Sequence, residues 1–361
     1  MARAPFWRLT MRRLALCAAF LTMAGCSTTS PESDDVIEVV AAVETTPVES
    51  QGDAADDPAI WINAELPEES LILGTDKKSG LAVYDLDGDL IQFLPVGRLN
   101  NVDLRQNVSV GDWKGDLAVA TNRTDDTVVL FEIASGTVSE LGRFDATLTE
   151  PYGVCMGTIS NRMIVTVTHK TGQARLFAVK QVNDGKVSAD LVAEIVFDSQ
   201  LEGCVHDDSL NQLFVGEEER GIWRVSLALS DDKLDHAKPL LVDEVEGPTG
   251  LAIDVEGLTL YPIGEKGGYL IASSQGNNSF AIYERSGQNN FLGRFRITDT
   301  PNGGIDGAQE TDGIDATSVP LGPNFPMGVL VVQDGYNDPS GDKQNFKIVD
   351  WRAINAALEL D

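Results

Sequence analysis

The chain has 361 residues, with 56 Asp and Glu against 27 Lys and Arg, for a formal charge of −29. A surface of that sign repels polynucleotides and anionic membranes, so a polyanionic ligand would need a local basic patch or bound divalent cations to reverse the field. Length alone would allow two domains, but no stretch after about Asp53 reads as a linker.

Arg3, Arg8, Arg12 and Arg13 give a positive start, and Leu14 to Leu21 a short apolar run, the pattern of an export signal. The run is far short of the roughly 20 residues that a membrane-spanning helix needs. It closes on Leu21-Thr22-Met23-Ala24-Gly25-Cys26, which resembles a bacterial lipobox, whose cysteine is acylated and becomes residue one after cleavage. An ordinary secretory signal cut nearby is the other reading. A signal over 1–25, a flexible tether over 26–50 headed by lipidated Cys26, and a folded domain over 51–361 are therefore expected. Ser27 after the cysteine resembles lipoproteins sorted to an outer membrane, so a periplasmic or cell-surface location is expected. Loss of 1–25, with four arginines and no acids, would take the charge to −33.

Beyond the tether one construction recurs: a short apolar strand, a polar tip, a second apolar strand. The copies span residues 71–86, 117–133, 162–179, 212–227 and 268–285, and the last runs from 328 to 351 across an insertion. Upstream of each stands a polar residue followed by small or apolar ones, at Asp57, Asn101, Tyr152, Glu202, Glu256 and Asp312, spaced by 44, 51, 50, 54 and 56 residues. A period near 50 with several strands per repeat predicts an all-β, six-bladed β-propeller with a central channel. A sandwich or barrel would require the spacing to be coincidental. Which strands close the ring is not legible.

Aligned at the tips, one position holds Lys77, Arg123, Lys170, Glu218, Gln275 and Asp334. Three bases face three oxygen ligands, as a site with a phosphate half and a metal half would require. Lys78, Arg143 and His169 add to the basic half. Glu202, Glu256 and Asp312 share one register, so a propeller would gather them around the channel. Glu217, Glu218, Asp254, Asp306, Asp315 and Gln275 lie close by in sequence. Clustered carboxylates without basic partners call for hard cations with oxygen ligands, calcium above all. Many such acids simply face water, which is the expectation for Glu219 and Glu246. Zinc or iron is not expected, because His169, His206 and His236 are scattered and no Cys or His pair has ligand spacing. His206 and His236 read as surface residues. Cys155 and Cys204 read as buried free cysteines in preference to a disulfide.

Asp56-Asp57-Pro58-Ala59-Ile60-Trp61, Asp76-Lys77-Lys78-Ser79-Gly80-Leu81, Leu99-Asn100-Asn101-Val102-Asp103, Asp254-Val255-Glu256-Gly257-Leu258-Thr259, Ser273-Ser274-Gln275-Gly276-Asn277-Asn278-Ser279 and Thr311-Asp312-Gly313-Ile314-Asp315 together resemble the β-propeller phytases. The resemblance covers about residues 53–356. It implies a 3-phytase-type hydrolase that releases phosphate from myo-inositol hexakisphosphate, with several calcium ions at the channel mouth. On the matching positions Asp57, Glu202, Glu218, Glu256, Gln275, Asp306 and Asp312 would ligate or surround calcium. Lys77, Lys78, Arg123, Tyr152 and Lys170 would contact phosphates. The chain departs from the family at Glu219-Arg220 and in the glycine-rich segment 300–310.

No Arg-His-Gly nucleophile motif is present, and Cys155 with Arg162 has the wrong spacing for a cysteine phosphatase loop. Attack by metal-activated water is therefore expected, with Glu218 or Asp312 beside it and Lys77, Arg123 and Lys170 on the phosphoryl oxygens. Two other readings stand beside it: a lactonase- or phosphotriesterase-like propeller, and a non-catalytic module that binds calcium phytate. Nothing demands more than a monomer.

Overall fold

The structure, a computed structural model, describes residues 36–182, 186–230, 233–337 and 343–360. The export signal, Cys26 and the start of the tether lie outside the described residues. The described chain forms six sheets, each built on antiparallel strands that are neighbours in sequence, with an N-terminal strand added to two of them. Blade 1 runs through Ala55–Trp61, Leu71–Asp76, Gly80–Tyr84 and Leu90–Leu94. The innermost strands of the later blades are Leu99–Val110, Val154–Ile159, Leu201–Asp207, Val255–Ile263 and Ile314–Thr317. Each touches the next around the ring, and Ile314–Thr317 returns to Ala55–Trp61, closing a six-bladed β-propeller.

The middle strands are apolar on both faces because blades pack face to face. Leu71–Asp76 is buried at every residue, and a Cβ at Gly74 would lie 2.4 Å from the ring of Phe346 in blade 6. Phe346, Tyr84, Ile72 and Val331 share one core cluster between those blades. Such packing needs no long helix. The helix Trp351–Leu358 caps the last blade, with Asp350 at its N-terminus and Trp351 stacked on Tyr261 at 3.6 Å.

The ring closes through the N-terminal segment. Val43–Glu44 pairs with Asn345–Asp350 as the outermost strand of blade 6, and Ile37–Val40 adds a parallel fifth strand to blade 5. The expected tether is therefore shorter than 26–50, since residues from Ile37 onward belong to the propeller. The Ser/Thr/acid-rich composition hid two short strands, and of the apolar residues in this segment Val39, Ala41 and Val48 are buried.

The polar residue that opens each repeat sits where the chain leaves strict pairing. Register shifts in the innermost strands fall between Ala55 and Pro58, Leu99 and Val102, Leu201 and Cys204, and Val255 and Leu258. A bulge re-aims side chains, here into the channel. The glycine after the polar residue follows from crowding: a Cβ on Gly203 would stand 1.9 Å from the Glu256 carbonyl, and one on Gly313 2.0 Å from Asp57 Oδ1. Adjacent bulges also bond directly, Gly257 N–H to Asp312 O at 2.8 Å and Gly313 N–H to Asp56 O at 2.9 Å.

Cys155 and Cys204 are joined in a disulfide, Cα to Cα 5.7 Å, between the innermost strands of blades 3 and 4. The expectation of free thiols is corrected. Cys204 lies just past the bulge of its strand, where the innermost strands of the two blades come within bridging distance.

Candidate active site and cation cluster

The bulges and the tips of the second and third strands meet at one mouth of the channel. Glu202 and Glu256 enter from the bulges of blades 4 and 5, and Glu218 follows the second strand of blade 4. One carboxylate oxygen from each lies within 4.8 Å of the others, and all three residues are buried. Side-chain amides hold the acids in place: Asn100 Nδ2 donates to Glu202 Oε1 at 2.7 Å, and Gln200 Nε2 to Glu218 Oε1 at 2.7 Å. Gln275 Nε2 donates to Asp312 Oδ1. Glu202 and Glu256 stand close enough that the charge of Glu202 pushes the Glu256 pKa upward. Glu256 Oε2 is buried with no partner.

Burial is the first cause of raised carboxyl pKa values here. Glu202 is pushed up to about 7 by burial and then by the charge of Asp56. Glu256 is pushed well above its ordinary value by burial and then by Glu202 and Glu218, and Glu218 upward by burial against the pull of the Gln200 amide. Asp312 is pushed well above the usual range by burial, although Lys77 pulls it down. An all-oxygen set that resists ionisation and leaves one oxygen orphaned fits a hard cation such as calcium.

The basic side faces this cluster. Lys77 Nζ stands 2.6 Å from Asp53, 2.9 Å from Asp312 and 3.3 Å from Asp56. The Tyr152 hydroxyl faces Glu202, burial and then that carboxylate's charge raising its pKa, and Lys170 Nζ lies 4.2 Å from the centre of its ring, with Arg123 Cζ at 6.0 Å. Arg123 Nε is buried without a hydrogen-bond partner. A donor with nothing to donate to, beside a lysine on an aromatic face, is the ground for an incoming anion.

The model of the phytase family matches residues 9–361. The chain belongs to the phytase family. The 3-phytase of Bacillus subtilis (strain 168) is 40% identical over 330 residues, covering 88% of this chain and 84% of that one. Among solved structures, the β-propeller domain of Cps50 (Swd1) from Myceliophteria thermophila is 10% identical, with a TM-score of 0.46 and coverage of 82% and 84%. BBS1N in complex with ARL6DN is 11% identical, with a TM-score of 0.46 and coverage of 80% and 77%. Likeness at that level bears on nothing beyond the strands themselves.

Within this phytase-family fold the residues expected at the site divide. Lys77, Arg123, Tyr152, Lys170, Glu202, Glu218, Glu256, Gln275 and Asp312 gather at the mouth, linked by the contacts above. Lys78 is exposed, its ammonium on the Gln51 carbonyl. Asp57 lies deeper: its Oδ2 accepts from Val102 N–H at 3.0 Å, stapling blades 1 and 2, and it lines a cavity of about 310 Å³ with Asp103, Arg105 and Asp315. The blade 1 acid that reaches Lys77 is its neighbour Asp56, which the repeat alignment passed over, as it did Asn100. Two adjacent polar residues at a bulge were the available signal.

Other expectations are corrected. Asp306 is not at the mouth but on Lys347, together with Asp334. Glu217 is saturated by Ser199 N–H and Oγ and by Trp223 Nε1, each at 2.7 Å. Asp315 accepts from Ile60 N–H and Ala316 N–H at 2.8 Å, a staple between blades 6 and 1. Arg143 is tied to Asp125 and Glu140. His169 has both ring nitrogens engaged, on Thr171 and the Thr149 carbonyl. His206 is buried against Thr166 rather than exposed, and burial pushes its pKa down to about 3.

The tip alignment also slips. Lys77, Arg123, Glu218 and Gln275 each donate their backbone N–H to a carbonyl just ahead of their own blade's bulge. In blade 6 Gly335 makes that bond, to Gln309, so Asp334 is one residue early. In blade 3 the first residue past the second strand is His169, so Lys170 is one residue late.

Proposed function

We propose that the channel mouth is a calcium-dependent phosphomonoesterase site acting on phytate, with the regiochemistry of a 3-phytase. The observation that carries the reading is the juxtaposition of two unlike halves: buried Glu202, Glu218 and Glu256 with an orphaned carboxylate oxygen, and Arg123, Tyr152 and Lys170 with an orphaned guanidinium donor. Family membership and the 3-phytase relative support the substrate. The donor set supports calcium: all oxygen, buried, without Cys or His.

Lys77, Arg123 and Lys170 hold the oxygens of the phosphate to be cleaved, with the Tyr152 ring fixing Lys170 and its hydroxyl facing Glu202. Calcium, when bound, supplies the positive charge that offsets both the acids and the phosphate. Glu218 or Asp312 takes a proton from the attacking water. The water oxygen bonds to phosphorus as the ester P–O bond breaks, and the inositol oxygen leaves as an alcohol after taking up a proton. The Gln200 and Gln275 amides keep the two acids aimed. The three bases meet charge that moves onto the phosphoryl oxygens in the transition state.

The test is phosphate release from sodium phytate by the purified protein, first with millimolar calcium and then with excess chelator. Release that needs calcium supports the reading. No release from folded, calcium-supplemented protein would sink it and favour a binding module.

We also propose that the chain is exported and held at an outer membrane through acylated Cys26. The Cys155–Cys204 disulfide supports export, because such bonds persist in oxidising compartments. Incorporation of a labelled fatty acid is expected in the native chain and absent in Cys26→Ser; equal labelling of both would refute the anchor.

A further inference from the structure

The closing blade holds a second acid cluster, and its centre is filled by a lysine. Lys347, on Asn345–Asp350, has no exposed surface. Its ammonium stands 2.6 Å from Glu44 and 3.3 Å from Asp334, and contacts Asp306 as well. The three acids come from three separate parts of the chain. Glu44 is on the N-terminal strand, directly across from Lys347 in the ladder. Asp334 ends the adjacent strand Val329–Asp334, and Asp306 comes from the loop between blades 5 and 6. Asn345, also fully buried, donates Nδ2 toward Glu44 and the Thr45 carbonyl, while its Oδ1 has no hydrogen-bond partner.

Carboxylates drawn out of water need positive charge beside them, from a metal or from a side chain. The family resemblance puts Asp306 among calcium ligands, and in this chain that assignment does not fit, because Lys347 Nζ stands where a cation would. The ammonium donates to Glu44 and Asp306 and is ion-paired with Asp334, whose Oδ2 accepts no hydrogen bond. Burial alone would lower the Lys347 pKa, but Asp334, Asp306 and Glu44 outweigh it and hold the group charged.

We propose that Lys347 is the resident cation of this cluster, latching the N-terminal strand to blade 6 without metal, and that removing its charge turns the cluster into a divalent-cation site. The inference concerns ring closure and stands whether or not the mouth binds calcium, since it is read as a difference between variants.

Full-length protein, Lys347→Gln and Asp306→Asn are each dialysed to equilibrium against calcium, the bound metal is counted, and melting is followed in calcium and in chelator. Lys347→Gln is expected to bind one more calcium per chain than the native protein, to melt lower in chelator, and to recover most of that loss in calcium. Asp306→Asn is expected to keep the native count. An unchanged count in folded Lys347→Gln, with no recovery by calcium, would overturn the proposal, as would loss of one calcium in Asp306→Asn. Should Lys347→Gln fail to fold, the Asp306→Asn count decides alone: retained calcium upholds a metal-free latch and a lost calcium removes it.

Discussion

Glu202, Glu218 and Glu256 at the mouth, and Glu44, Asp306 and Asp334 at the closing blade, are both sets of three carboxylates drawn together by the same propeller geometry. At the closing blade a lysine from an adjacent strand completes the set. At the mouth, among the described residues, no base is paired with all three acids, and after burial the charges of Glu202 and Glu218 push Glu256 further up. Countercharge built into the chain gives a permanent fastening. Countercharge withheld leaves a site whose state depends on what arrives from solution, which is what a catalytic centre for a polyanion on a strongly acidic protein requires.

Removing a cation from each cluster gives the largest expected effect. Lys77→Ala should lose rate and also melt lower, because it strips the countercharge from buried Asp56 and from Asp312, whereas Arg123→Ala should lower kcat/KM for phytate by about 10²–10³ with little change in melting, since it removes a group that meets charge in the transition state. Lys347→Met should do the reverse, destabilising the calcium-free protein by about 3–5 kcal/mol as a broken buried ion pair does, while the folded fraction keeps its turnover. Steady-state kinetics beside chemical denaturation separates the two. A large rate loss in Lys347→Met or none in Lys77→Ala would dissolve the distinction.

The disulfide should be indifferent to it. Cys155→Ser with Cys204→Ser is expected to cost about 2–4 kcal/mol, equally in calcium and in chelator, because the bond closes a loop and touches neither cluster. A cost that appears only in chelator would tie the bond to the mouth instead.

Acidity sharpens the contrast further. Glu202 has its folded pKa raised from 4.5 to about 7, so the folded protein binds more protons than the unfolded chain between those values. Stability without calcium therefore falls as pH rises through that window, and calcium, by replacing the proton, should stabilise more at pH 7.5 than at pH 5. His206, lowered to about 3, works in the opposite sense but equally with and without calcium, so it cancels in the difference. Melting curves at the two pH values check this; a calcium shift that does not grow with pH would count against a proton held at the mouth.

The smallest effect is at Tyr152. Tyr152→Phe keeps the ring under Lys170 and should cost only a few-fold in rate, whereas Tyr152→Leu loses a cation–π contact of about 0.5–2 kcal/mol and should cost up to about 30-fold. Equal effects of the two would assign the role to the hydroxyl on Glu202.

Period and register were legible because each blade repeats one opening to its innermost strand and one tip, and both place side chains into the channel. That is why Lys77, Arg123, Glu202, Glu218, Glu256 and Asp312 were found from spacing. What spacing could not deliver was depth. Asp56 and Asp57 are neighbours, yet only the local shift of the strand decides which meets Lys77 and which staples the next blade. The slips at Lys170 and Asp334 have the same origin, one residue gained or lost at a hairpin tip. Lys347 gave no signal within its apolar strand, because its acidic partners lie 303 and 41 residues away in sequence at Glu44 and Asp306. Cys155, Cys204 and His206 depend likewise on contacts between blades, which a linear pattern does not contain.

The most direct test is a crystal of the protein grown with calcium and phased to locate anomalous scatterers. The account predicts calcium among Glu202, Glu218 and Glu256, with Lys347 still seated between Glu44, Asp306 and Asp334. No ion at the mouth, or calcium on Asp306 with Lys347 displaced, would contradict it.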